Sequence, residues 1–100
     1  MFDNTYEFDW DDDKAAANLS KHGVSFTAAM AVFTDPLAMT RYDDEHSEAE
    51  ERWVTLGQGP DGTLLLVVHT YTASDANRAL VRIISARHPT RREAQQYQAD

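Results

Sequence analysis

The sequence predicts an α+β domain: a small antiparallel sheet with two N-terminal helices packed on it and a short C-terminal helix. Three observations carry that expectation. Tyr6, Phe8 and Trp10 alternate with Glu7 and Asp9, the period of two that a strand requires. Phe26, Ala29, Met30 and Phe33 then recur at helical spacing. From Arg52 onward, three β-rich runs follow one another with turn residues between them, as in an antiparallel sheet. One hundred residues, 42% of them hydrophobic, suffice for a single domain over 1–100 with one core.

Taken in order, Tyr6–Trp10 is expected at a sheet edge. Asp11, Asp12 and Asp13 crowd the start of a helix, where the macrodipole favours anions. That helix runs over Lys14–Lys21 and closes on His22 and Gly23, a cation followed by a C′ glycine. Ser25 is the cap of the second helix, which Asp35-Pro36 stops. Leu37–Tyr42 is expected as a strand and Asp43–Glu51 (DDEHSEAEE) as an exposed loop. Arg52–Leu56, Thr63–Thr72 and Arg78–Ala86 are the remaining strands. Gly57–Gly62 forms the first hairpin turn and Ala73–Asn77 the second. Leu64–Val68 is continuously apolar, the mark of a central strand covered on both faces.

Composition removes several function classes. Without cysteine there is no disulfide, no thiol chemistry and no cysteine-ligated metal. No run approaches the roughly 18 apolar residues of a membrane span, and no secretory signal is visible, so a cytoplasmic protein is expected. Net charge is −8, but it is unevenly placed. Residues 1–51 carry thirteen acids against three basic residues, whereas 52–100 carry six arginines against four acids. A basic face in the C-terminal half is compatible with an acidic whole.

That half contains the most informative stretch, Leu80–Tyr97. Thr90 and Glu93 form a capping box for a last helix. Arg82, Arg87, Arg91 and Arg92 crowd the joint between strand and helix, with Arg91 and Arg92 at the helix end that disfavours cations. Such a cluster suits an anion, the bland alternative being a solvated arginine-rich tail. A regular strand sends Arg82 and Arg87 to opposite faces, so both reach one site only if the strand bends near Ser85.

Several longer pieces resemble the BrnT family, the toxins of type II toxin–antitoxin pairs. They are WDDDKAAANLSKHGVSF (Trp10–Phe26), DPLA (Asp35–Ala38), the strand pair around Arg52–His69, and RIISAR followed by TRRE and Tyr97. The resemblance implies a fold similar to RelE-type ribonuclease toxins and metal-independent endoribonuclease activity, with no cofactor. It also implies a cognate BrnA-like antitoxin with a ribbon-helix-helix DNA-binding region, which brings the pair to its own promoter DNA. Because that ribbon needs two copies, a heterotetramer of two toxins and two antitoxins is expected, with the antitoxin covering Leu80–Tyr97. No membrane association is implied. For RNA cleavage, Arg82 and Arg87 are candidates to stabilise the phosphorane, and His69 and His22 to move protons. Lys21, Arg91, Arg92 and Tyr97 are candidates to bind RNA. The competing reading is a catalytically weak binding subunit that acts mainly as co-repressor with a DNA-binding partner.

Overall fold

The computed structural model describes residues 5–46 and 50–97. Six strands and three helices appear among them, in the order β1 (Thr5–Asp9), α1 (Asp12–His22), α2 (Phe26–Met30), β2 (Met39–Tyr42), β3 (Trp53–Gln58), β4 (Leu64–His69), β5 (Thr72–Asp75), β6 (Arg78–Arg87) and α3 (Arg91–Tyr97). A 3-10 turn, Ala31–Thr34, prolongs α2, and another covers Asp44–His46. Residues 47–49 of the expected acidic loop lie outside the described residues.

The caps fall where the side chains direct them. Asp11 accepts from the amides of Asp13 and Lys14 at 2.8 and 3.2 Å, starting α1 two residues earlier than expected. Gly23 ends α1 with φ +70°, and its N–H bonds the carbonyl of Leu19. Ser25 Oγ accepts from Ala28 N at 3.0 Å and starts α2. α2 is shorter than the periodic stripe foretold; the same stripe continues through the 3-10 turn, which buries Val32.

The class is α+β, but the sheet is mixed rather than antiparallel, a correction to the expectation. Strand order is β1-β6-β4-β3-β2, with β5 added beside β6. β1 runs parallel to β6, from Thr5 opposite Arg78 to Asp9 opposite Arg82. β5 occupies Thr72–Asp75, so the second turn shrinks from five residues to Ala76-Asn77. Alternation specifies which face a residue takes and leaves strand direction open, which is why the parallel pair was invisible in the sequence.

Two apolar layers enclose the sheet. On the side of α1 and α2, Val24, Phe26, Ala29, Val32, Leu65, Val67, Val81, Ile83 and Ala86 form the larger layer. Tyr6, Phe8, Trp10 and Phe33 pack around it. On the other side Val54, Leu56, Leu66 and Tyr97 form the smaller layer, under α3. β4 is buried from both sides, as its unbroken apolar run requires.

β6 supports both halves of the sheet and contains an irregularity. Val68 pairs with Ser85 but His69 pairs with Ile83, so Ile84 is an extra residue. Ile83 and Ala86, an odd number apart, therefore both face the larger layer. Past Arg82, the edge of β6 has no β1 beside it. Asn18 of α1 takes that place: its amide donates to Ala86 O at 2.8 Å and Val24 O at 2.9 Å, and its oxygen accepts from Ala86 N at 3.1 Å. A side chain thus closes a buried strand edge. Asn18→Ala leaves three buried backbone groups without partners and should destabilise the fold by about 2–4 kcal/mol in urea unfolding. A loss below about 0.5 kcal/mol would show that water replaces the amide at no net cost.

Candidate active-site cleft

The bulge at Ile84 settles the parity problem of the arginines. Arg82 and Arg87 emerge on the same face of β6, opposite α1 and α2. Their surroundings differ. Arg82 is exposed and bonded to Asp9 on β1 at 2.7 Å, and Arg78 likewise bonds Glu7 at 2.5 Å. These surface pairs add little stability individually; the register of β1 on β6 follows from Tyr6 and Phe8 packing on the larger layer. Arg87 sits about 16 Å further along the strand, at the wall of an open cleft of about 420 Å³.

That cleft lies between β2 and α3, over one face of β3, β4 and β6. Arg41 enters from β2, Arg52 from the approach to β3, and Arg87 from the end of β6. Arg41 points this way because it stands opposite Val54, a residue of the smaller layer. Val54, Leu66, Val68 and Ile84 contribute apolar surface, and Asp43, Glu45 and Glu93 contribute carboxylates. His46 completes the lining, its Nδ1 lying 3.0 and 3.2 Å from the two oxygens of Asp43. Among the described residues, no group of three or more His, Asp and Glu side chains is arranged to hold a metal ion.

Glu93 ties the cleft to α3. Its two oxygens accept from the Arg87 fork at 2.8 and 3.0 Å. The capping box forms as the sequence indicated, with Thr90 N donating to Glu93 Oε1 at 2.8 Å and Glu93 N to Thr90 Oγ1 at 3.1 Å. The Arg87 guanidinium, aided by the Thr90 amide, holds the Glu93 carboxyl down at about 2.

The other sequence candidates scatter. His69 is 2% exposed and lies on the opposite side of the sheet. Its Nδ1 donates to Thr70 O at 2.9 Å, and its Nε2 accepts from Thr55 Oγ1 at 2.7 Å. Thr55 in turn meets Thr40 Oγ1 at 2.8 Å, so a polar thread crosses β2, β3 and β4. Burial holds the imidazole below its ordinary value and therefore neutral. Tyr97 is also buried, and its hydroxyl donates to Asp35, whose carboxylate further accepts from Leu37 N and Gln58 N at 2.9 Å. This bond raises the Tyr97 phenol to about 12 and lowers Asp35. Lys21 and His22 end α1, on the side away from the cleft. Arg91 and Arg92 are exposed immediately before Glu93, and among the described residues neither forms an ion pair. Sequence reasoning missed Arg41, Arg52 and the His46–Asp43 pair. The alternation of Met39 and Arg41 against Thr40 and Tyr42 was the available signal.

A model of the family described as "Ribonuclease toxin, BrnT, of type II toxin-antitoxin system" matches residues 10–93. That match covers most of the chain and places it among the ribonuclease toxins of type II systems. Within that class, the chain belongs to the BrnT family. The crystal structure of the Brucella abortus ribonuclease toxin BrnT is similar in fold, with a TM-score of 0.59 at 19% identity. The superposition covers 88% of this chain and 100% of that one. No curated protein matches the sequence. None of the described helices is long and apolar enough to cross a membrane.

The Arg87–Glu93 clamp has a defined pH signature. A carboxyl lowered on folding stabilises fully above its ordinary value of 4.5, and that stabilisation is lost as pH falls through about 2. Wild type should lose stability relative to Glu93→Gln across this window, measured by denaturant unfolding at stepped pH. Parallel curves from pH 5 to 2 would show that the pair contributes nothing.

Proposed function

We propose that the chain is a metal-independent endoribonuclease whose RNA substrate is cut in the cleft between β2 and α3. A BrnA-like ribbon-helix-helix antitoxin neutralises it, in an assembly of two toxins and two antitoxins that meets promoter DNA only through the antitoxin. One observation carries the catalytic reading: three guanidinium groups and a carboxylate-oriented imidazole converge on one open cleft. The family's description as ribonuclease toxins supports the reaction class.

RNA cleavage by its own 2′-hydroxyl requires three things. The hydroxyl must lose a proton, the pentavalent phosphorane must be stabilised, and the 5′-oxygen must gain a proton as the P–O5′ bond breaks. An imidazole can perform proton transfer near neutral pH. His46 Nδ1 faces Asp43, which leaves Nε2 to take the 2′-hydroxyl proton. The 2′-oxygen then displaces the 5′-oxygen from phosphorus, forming a 2′,3′-cyclic phosphate, and the departing 5′-oxygen takes a proton from water to leave as a hydroxyl. Arg87, held in place by Glu93, and Arg41 present planar donors to the phosphorane oxygens. Arg82, Arg91 and Arg92 extend the cationic surface on either side, where flanking phosphates run. Lys21 and His22 lie away from this path, and His69 and Tyr97 act as structural hydrogen-bonding groups.

The expected outcome is a loss of about a hundred-fold in RNA cleavage for Arg87→Ala and for His46→Ala, with circular dichroism unchanged. Glu93→Gln separates catalysis from support, since it weakens the clamp but keeps the guanidinium; it should retain most activity. Arg82→Ala should cost less than Arg87→Ala. Cleavage should persist in EDTA. Activity that vanishes in chelator and returns with Mg²⁺ would move the chemistry to the carboxylates, and wild-type cleavage by both His46→Ala and Arg87→Ala would remove the cleft from the mechanism.

A further inference from the structure

The cleft continues past Arg41. Toward the start of β2 it narrows into a slot of about 70 Å³ between β2 and α3, which shares Arg41, Val54 and Leu66 with the cleft and adds Met39, Leu56 and Gln96. Sheet register orders these residues. Met39, Leu56, Leu66 and Arg87 form one rung across β2, β3, β4 and β6, and Arg41, Val54, Val68 and Ser85 form the next. The slot lies at the first rung. His46 lies beyond the second, after Tyr42 has ended β2 about 10 Å from Met39. His46, Asp43 and Arg52 accordingly border the cleft but not the slot.

The lining of the slot suits a nucleobase. Leu56 and Leu66 are buried and supply an apolar floor, while Met39, 44% exposed, supplies a polarisable wall that favours aromatic rings. Gln96 stands opposite on α3, one turn after Glu93 and on the same face. Among the described residues its amide has no hydrogen-bond partner. A free amide offers one donor and one acceptor, the pair that the Watson–Crick edge of an unpaired base complements. Arg41 is the single cation of the slot, at its junction with the cleft, so the interior is not a phosphate site.

The direction of displacement selects which base enters. The 2′-oxygen attacks from one side of phosphorus and the 5′-oxygen departs from the other. With His46 at the attacking side, the departing nucleotide extends toward the first rung. We infer that the slot seats the base of the nucleotide released with the 5′-hydroxyl, and that its narrowness selects a pyrimidine there. A single ring enters edge first beside Gln96, whereas the fused rings of a purine meet Met39. The assignment rests on RNA being cut in the cleft with His46 as the base. Gln96 and Met39 then decide which bond is cut, while the arginines act on the phosphate itself.

The test uses 2′-fluoro RNA oligonucleotides with a single 2′-hydroxyl, so that one bond can be cut, and with cytosine, adenine or no base on its 3′ side. Wild type should show a kcat/KM about ten-fold higher before cytosine than before adenine or the abasic residue. Gln96→Ala should bring the cytosine and abasic values within about two-fold of each other. Met39→Ala widens the slot and should raise cleavage before adenine relative to cytosine about five-fold, a gain that misfolding does not imitate. Equal losses on the cytosine and abasic substrates in Gln96→Ala, with their ratio kept, would overturn the inference, because Gln96 would then only support α3. So would a preference governed by the base on the 5′ side of the bond and indifferent to the one after it. If His46→Ala and Arg87→Ala cut like wild type while the preference persists, the proposed chemistry fails and the slot stands. If wild type cuts none of the oligonucleotides, their binding reads the slot instead. Tighter binding with cytosine than without a base, lost in Gln96→Ala, supports it, and equal binding overturns it.

Discussion

Without the extra residue at Ile84, an unbroken period of two would turn Arg87 into the apolar layer beneath α1 and bring Ala86 to the opposite face. A guanidinium buried there would lack partners, and α3 would lose the cation that anchors its first turn. The bulge therefore reconciles two demands on β6. Its first half packs Ala79, Val81 and Ile83 inward beside β1, and its second half presents Ser85 and Arg87 to the cleft beside β4. On its other side β6 loses β1 after Arg82, and Asn18 closes the open edge at Ala86 from α1. Helix, strand and cleft wall are coupled through that short segment.

α3 depends on carboxylates at both ends. Glu93 caps its first turn and clamps Arg87, while Asp35 receives the hydroxyl of Tyr97 at its last. Only seven residues long, the helix has too few internal hydrogen bonds to be stable alone. Its docking buries Tyr97 against Val54, Leu56 and Leu66 and thereby forms one wall of the cleft. Asp35 also bonds the amides of Leu37 and Gln58, so the DPLA stretch is a junction where the end of the second helix, β3 and α3 meet.

Local rules were well expressed in the sequence. The acidic start of α1, the Ser25 cap, Gly23, the Thr90–Glu93 box, the two-sided burial of β4 and a hairpin joining β3 to β4, though with Gly57 and Gln58 in β3 and not in its turn, all depend on residues close in the chain. What was hidden depends on register between distant strands. The parallel pairing of β1 and the meeting of Arg41 with Arg87 each require contacts across 40 or more residues, while the extension of β5 into the expected turn depends on an irregular local pairing with β6. The histidines show the same division. His69 attracted attention at the end of an apolar strand, yet Thr55 and Thr70, which occupy its nitrogens, are identified only by the fold. His46, set in a run of acids, resembled solvated loop until the sheet brought Arg41, Arg52 and Arg87 around it.

Glu93 caps a helix, orients Arg87 and lines the cleft with a single carboxylate. For a toxin this concentration has a genetic consequence. A cell that loses its antitoxin survives through any change that disarms the toxin, and a position serving three roles tolerates only replacements as close in shape as glutamine. Substitutions there that remove both the fork and the cap unseat α3 and the cleft wall together, leaving few second-site changes able to restore both. A lineage that retains the harmful activity must therefore keep the antitoxin continuously supplied, since inactivating the toxin is always only one codon away.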